Sequence, residues 1–115
     1  LVSIDLSHNH LHYINGLFLM LPDLSELFLS ENNILEIPPD AFTDSVNISI
    51  IYLQQNAIRH IDGEALRTLH NLTQLHLSSN FISRIPKELL QNSYNIRSLS
   101  LDNNLIMNLE SGTFN

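Results

Sequence analysis

Apolar residues fall at fixed distances from a recurring asparagine along the whole chain. Asn9, Asn32, Asn56, Asn80 and Asn104 are spaced 23, 24, 24 and 24 residues apart. Eight residues before each stand Leu1, Leu24, Ile48, Leu72 and Ile96. Five before come Ile4, Leu27, Ile51, Leu75 and Leu99, and three before come Leu6, Leu29, Leu53, Leu77 and Leu101. Two after come Leu11, Ile34, Ile58, Ile82 and Ile106, and five after come Ile14, Ile37, Ile61, Ile85 and Leu109. Ten after, the set is Leu19, Phe42, Leu66, Leu90 and Phe114. All thirty positions are apolar, so the repeat governs the fold.

The pair five and three before the asparagine alternates with polar residues, the period of a short strand with one buried face. One such strand and its return path cannot bury that face alone. Stacked copies turn each set of equivalent residues into a continuous internal column. The asparagine is polar yet sits between inward positions, where the chain turns away from the strand. A buried amide without partners costs about 1–3 kcal/mol per group, so its recurrence predicts a ladder of side-chain bonds to turn backbone. Pro38 and Pro86 follow the inward isoleucine, where a return path needs no ladder donor. The prediction is an α/β repeat solenoid, a horseshoe segment with a concave parallel sheet and a mostly irregular convex side. Five repeats divide the chain at 1–23, 24–47, 48–71, 72–95 and a partial 96–115. Segments 62–70 and 87–92 are where a turn of helix would fit.

This is the L-x-x-L-x-L-x-x-N-x-L pattern, and over its whole length the chain resembles the leucine-rich repeat family. The 24-residue period with Phe or Leu ten after the asparagine resembles the extracellular class rather than the longer, helix-bearing intracellular class. The stretch Ile85-Pro86-Lys87-Glu88-Leu89-Leu90-Gln91-Asn92-Ser93-Tyr94-Asn95-Ile96 is similar to repeats of Toll-type receptor ectodomains and insect photoreceptor adhesion proteins, and also to small leucine-rich proteoglycans. Such proteins carry cysteine-rich caps. This chain has no cysteine, so its end repeats are expected to expose apolar faces. Its first residue already lies within the pattern, the expectation being a piece of a longer parent whose address signal or membrane anchor lies elsewhere.

Composition narrows the partners. Hydrophobic residues make up 43% of the chain, with only 3 Gly and 4 Pro, which excludes low-complexity disorder. The longest apolar run, Leu17 to Leu21, is far short of the ~20 residues that span a bilayer, so no direct membrane contact is expected of this segment. The net charge of −7 is uneven: residues 1 to 47 hold seven acids and no Lys or Arg, whereas residues 48 to 115 hold five of each sign. Such a surface repels nucleic acid and anionic lipid and suits a basic protein ligand. Two glycosylation sequons, at Asn47 and Asn71, favour a secreted or cell-surface protein. Asn95 occupies the same register without a sequon.

Binding in such a fold is expected at the outward strand positions of the concave face. The column between the two strand leucines reads Asp5, Phe28, Tyr52, His76, Ser100; two residues earlier it reads Ser3, Glu26, Ile50, Gln74, Ser98; two later, Ser7, Ser30, Gln54, Ser78, Asp102. Most are small and polar. Phe28, Ile50, Tyr52 and His76 cluster across repeats two to four, rimmed by Glu26, Glu31, Gln54 and Gln74, the composition of a protein-binding hot spot. The function expected is protein–protein recognition by a receptor or adhesion ectodomain. A secreted matrix protein binding collagen or growth factors is the alternative the resemblance allows, and an intracellular scaffold the second.

Other constellations carry less. His8, His10 and His12 alternate around the turn position Asn9, so their rings are expected to fan outward rather than converge on a metal. Asp5, Ser7 and His8 include triad residue types, but no oxyanion hole or closed pocket is implied. No enzymatic activity and no cofactor are expected.

Overall fold

A computed structural model describes residues 2–107, 109 and 111–114. Leu1, the first of the repeat positions eight before an asparagine, lies outside the described residues. Among the described residues seven short strands form: β1 (Val2–Asp5), β2 (Leu24–Phe28), β3 (Glu36–Ile37), β4 (Ile50–Tyr52), β5 (His60–Ile61), β6 (Gln74–His76) and β7 (Ser98–Ser100). Five of them pair in parallel in the order β1-β2-β4-β6-β7, one strand per coil of the solenoid. Register follows the repeat: Asp5, Phe28, Tyr52, His76 and Ser100 are successive partners, as are Ser3, Glu26, Ile50, Gln74 and Ser98. A second, two-stranded parallel sheet pairs β3 with β5 beyond the turn.

The inward columns make the core. Leu27, Ile51 and Leu75 are buried, as are Leu29, Leu53 and Leu77, and behind them Ile34, Ile58 and Ile82. Equivalent residues of the outer coils, Ile4, Leu6 and Leu11 at one end and Ile96, Leu99, Leu101 and Ile106 at the other, are only partly buried. Each outer coil has a stacked neighbour on one side, so its apolar residues lose about half the cover the central coils provide.

The position ten after the asparagine divides. Phe42 and Leu66 are buried and Leu90 is partly so, but Leu19 is 56% exposed and Phe114, in the last coil, 53% exposed. In the first coil the core position belongs to Phe18, 2% exposed, whose ring stacks on Phe42 at 6.1 Å. The first repeat is one residue short, and the missing residue falls between Ile14 and Phe18. The fixed offset therefore points one residue too far.

The convex side is built of turns, with N–H groups of Ala65, Arg67 and Leu69 bonded three residues back to Asp62, Glu64 and Leu66. The same pattern runs through Leu89, Gln91 and Ser93. Among the described residues no helix forms, at 62–70 and 87–92 included, and none is long and apolar enough to cross a membrane. Pro38 and Pro86 open two of these turns, their carbonyls accepting from Ala41 and Leu89.

Candidate concave recognition face

The turn that ends each strand orients everything on the concave face. The residue before each recurring asparagine adopts a left-handed backbone: His8, Glu31, Gln55, Ser79 and Asn103 have φ between 56° and 59°. Single residues of this conformation reverse the local twist and drive the next side chain inward. Glycine would adopt it at least cost, yet none of the five is glycine. The amide of Asn32 then donates to Leu6 O at 2.9 Å and Leu29 O at 3.1 Å, while its Oδ1 accepts from Leu11 N. Asn56 repeats this with Leu29 O, Leu53 O and Ile34 N, Asn80 with Leu53 O, Leu77 O and Ile58 N, and Asn104 with Leu77 O, Leu101 O and Ile82 N. Each side chain bridges its own coil to the one before it. Asn9, in the first described coil, reaches only Leu6 O and Ser7 O of its own coil.

On the sheet held by this ladder, three rings form one stack. Phe28 and Tyr52 lie 4.8 Å apart with planes 10° from parallel, and Tyr52 and His76 lie 4.7 Å apart at 5°. The strand spacing sets these distances, since the three residues are register partners on adjacent strands. His76 ends the stack with both nitrogens engaged, Nδ1 with Ser100 Oγ and Nε2 with Gln74 Oε1, each at 3.0 Å. The rings cover one another's faces and are half-buried, so the solvent meets their edges. Apolar side chains on this face are thus less exposed than the sequence column alone suggests.

Ile50 lies between Glu26 and Gln74 in the neighbouring column, all three half-buried. Glu26 accepts the Ser3 hydroxyl at 2.7 Å. On the other flank, Gln54 is half-buried and its Oε1, shielded from solvent, meets no donor among the described residues. Glu31 faces His8 across adjacent coils, Oε2 to Nδ1 at 3.0 Å, with both side chains largely exposed. The sequence places Glu31 as an acidic neighbour of the histidine run, and the structure pairs it with His8. The signal of this pairing is that both residues stand one before a ladder asparagine.

At the acidic end, Asp5 Oδ1 accepts from both the backbone N–H and the hydroxyl of Ser7. These two bonds, helped by His8, hold its carboxyl below the usual carboxylate range. The Ser7 hydroxyl donates to Asp5 while His8 turns to Glu31, so Asp5, Ser7 and His8 do not assemble as a nucleophile and base. His8, His10 and His12 are all exposed, and no group of three or more metal-ligating side chains gathers among the described residues.

The sequon asparagines lie at the opposite edge, where the chain enters the strands. Asn47 and Asn71 are both exposed. Asn47 donates to Pro22 O at 2.8 Å, and Asn95 makes the same bond to His70 O. A structural bond thus holds Asn47, which lies in a sequon, and Asn95, which does not.

Coils of this period, stacked on an asparagine ladder with a parallel sheet on one face, define a leucine-rich repeat protein. The leucine rich repeat family model matches residues 22–82, more than half of the chain, and the chain belongs to that family. Among solved structures, the glycosylated form of the Toll–Spatzle complex, described as a molecular hub in Drosophila development and innate immunity, matches with TM-score 0.85 and 28% identity. The match covers 92% of this chain and 16% of that one. A second structure of the Toll–Spatzle complex matches with TM-score 0.78 and 31% identity, over 90% of this chain and 15% of that one. The leucine-rich repeat domain of APL1B shares the fold at TM-score 0.90 and 19% identity, over 94% of this chain and 33% of that one. The chain thus spans about a sixth of the Toll-complex chains and a third of the APL1B chain. No match was found among curated protein sequences. Leucine-rich repeats of this type are protein-interaction modules, typically without catalysis of their own.

Proposed function

We propose that this chain is a recognition segment of an extracellular receptor, and that its concave face binds a protein ligand. The observation that carries this reading is the Phe28–Tyr52–His76 stack, a continuous row of ring edges on the five-stranded sheet. Aromatic anchors flanked by polar groups are where binding energy concentrates in protein interfaces. Gln54 supports it, because an acceptor shielded from water costs about 1–3 kcal/mol until a donor meets it. The acids of coils one and two, Asp5, Glu26 and Glu31, suit a basic ligand and would steer its approach. The likeness to Toll, solved with its protein ligand Spatzle, and the two sequons support the receptor and extracellular parts of the reading. The five-repeat division at 1–23, 24–47, 48–71, 72–95 and 96–115 belongs to the same proposal.

The test is site-specific photo-crosslinking in the full-length protein on the cell surface. A photoreactive residue at Ser30 or Ser78, on the concave face, should capture a partner protein. The same residue at Lys87, on the convex turn, should capture none. Capture from Lys87 alone, or an intracellular location of the protein, contradicts the proposal.

A further inference from the structure

The aromatic stack has two unlike ends. His76 closes one, with Ser100 beyond it and Gln74 beside it. At the other end the register partner of Phe28 is Asp5, a shorter side chain whose carboxylate is drawn onto Ser7 two residues along its own strand. Tyr52 covers the coil-three face of Phe28, and among the described residues no ring covers the coil-one face. Glu26, two residues before Phe28 on the same face of β2, flanks this end, held by the Ser3 hydroxyl. No Lys or Arg stands anywhere in residues 1 to 47. Acidity alone would mark a solvated surface. A ring face with no second ring on it, set beside carboxylates, is what distinguishes this end of the sheet from the His76 end.

We infer that the coil-one face of Phe28, between the carboxylates of Asp5 and Glu26, receives a guanidinium or ammonium side chain of the protein partner. This rests on the concave face being the binding surface and adds the chemistry of one contact and the direction of the ligand. An aromatic face attracts a cation through its quadrupole, and two flanking carboxylates add charge without having to move. Tyr52 is stacked on both faces, and His76, the other end ring, stands beside the uncharged Gln74 and Ser100 rather than beside carboxylates. A cationic side chain is therefore taken at coils one and two, and the rest of the ligand runs along the ring edges toward the uncharged Gln74. The partner is oriented with its basic end at β1.

The experiment is a proton NMR titration of the full chain with N-acetyl-arginine amide, and in parallel with its uncharged isostere N-acetyl-citrulline amide. The account expects saturable shifts of the Phe28 ring protons with the arginine compound only. Asp5→Asn should weaken that binding roughly threefold, and Glu26→Gln similarly, as expected for single contributions to an exposed cation–aromatic site. Both are surface changes that leave the fold intact, and Phe28→Leu, which keeps apolar volume on the strand, should abolish the saturable shifts that the arginine compound produces at the Asp5 and Glu26 backbone amides. Unmoved Phe28 protons, equal shifts with the citrulline compound, or arginine binding centred on Asp40 and Asp44 instead would each overturn the inference. Crosslinking from Ser78 reports on the concave face without reference to this contact. Capture there with a silent Phe28 would thus refute the cation contact and leave the binding surface standing.

Discussion

The side-chain oxygen of Asn56 accepts the backbone N–H of Ile34, 3.1 Å away in the preceding coil, while its amide donates to Leu29 and Leu53. Of these three buried backbone groups, the Ile34 N–H is met by Asn56, whereas Leu29 O and Leu53 O also accept from Asn32 and Asn80. Asn56→Ala should lower stability by about 1–3 kcal/mol, since it strands the buried Ile34 N–H and removes one of two amide donors from each carbonyl. Gln55→Ala, one residue away, should change it by less than about 0.5 kcal/mol. Gln55→Val should cost about 1–2 kcal/mol, because a β-branched residue is strained at φ 59°. Equilibrium urea titration of the three variants checks the order. Equal losses at Asn56→Ala and Gln55→Ala would contradict the ladder's energetic role.

Phe18 and Leu19 are neighbours with opposite fates. Phe18→Ala should cost about 3–5 kcal/mol as the loss of a buried ring stacked on Phe42, and Leu19→Ala less than about 0.5. Thermal denaturation of the pair distinguishes them. A larger loss at Leu19 would restore the uncorrected offset.

That correction shows where the sequence was legible. Strand positions, sheet order and the inward columns follow from spacing, because a 24-residue period leaves stacked coils little freedom. The short first repeat is visible in the spacing of Asn9 and Asn32, but not the site of the missing residue, which depends on how Ile14 and Phe18 pack. The left-handed turns were hidden because His8, Glu31, Gln55, Ser79 and Asn103 share no residue type and none is glycine. The membership of the aromatic column could be read from the chain. That its rings would stack face on face, turning their edges to solvent, needed the register and the rotamers together.

Asp5 offers a titration with a defined sign. Its folded carboxyl is held down chiefly by the Ser7 hydroxyl and then by the Ser7 N–H. Its contribution to stability is present above the unfolded value of about 3.9 and is lost as pH falls through the lower folded value. Carbon-detected NMR should place its midpoint below that of an ordinary aspartate, and Ser7→Ala should move it upward. A midpoint unchanged by Ser7→Ala would show that the hydroxyl bond does not persist in solution.

The extracellular reading predicts carbohydrate on the strand-entry edge. Expressed through a secretory pathway, the protein should lose mass on enzymatic deglycosylation, with occupancy at Asn47 or Asn71. Intact mass spectrometry showing both asparagines bare would count against a secreted or cell-surface protein.

The most direct test of the concave face is the dissociation rate of the partner captured by crosslinking, measured against the full-length protein and its Tyr52→Ala variant. Tyr52 is the middle ring, so its loss separates Phe28 from His76 and removes the centre of the row. The account predicts faster dissociation worth about 2 kcal/mol or more, with the association rate little changed. Ser98→Ala, on the same face beyond the stack, should leave both rates as they are. A Tyr52→Ala variant that releases its partner no faster than the unmodified protein would place the binding surface elsewhere on the solenoid.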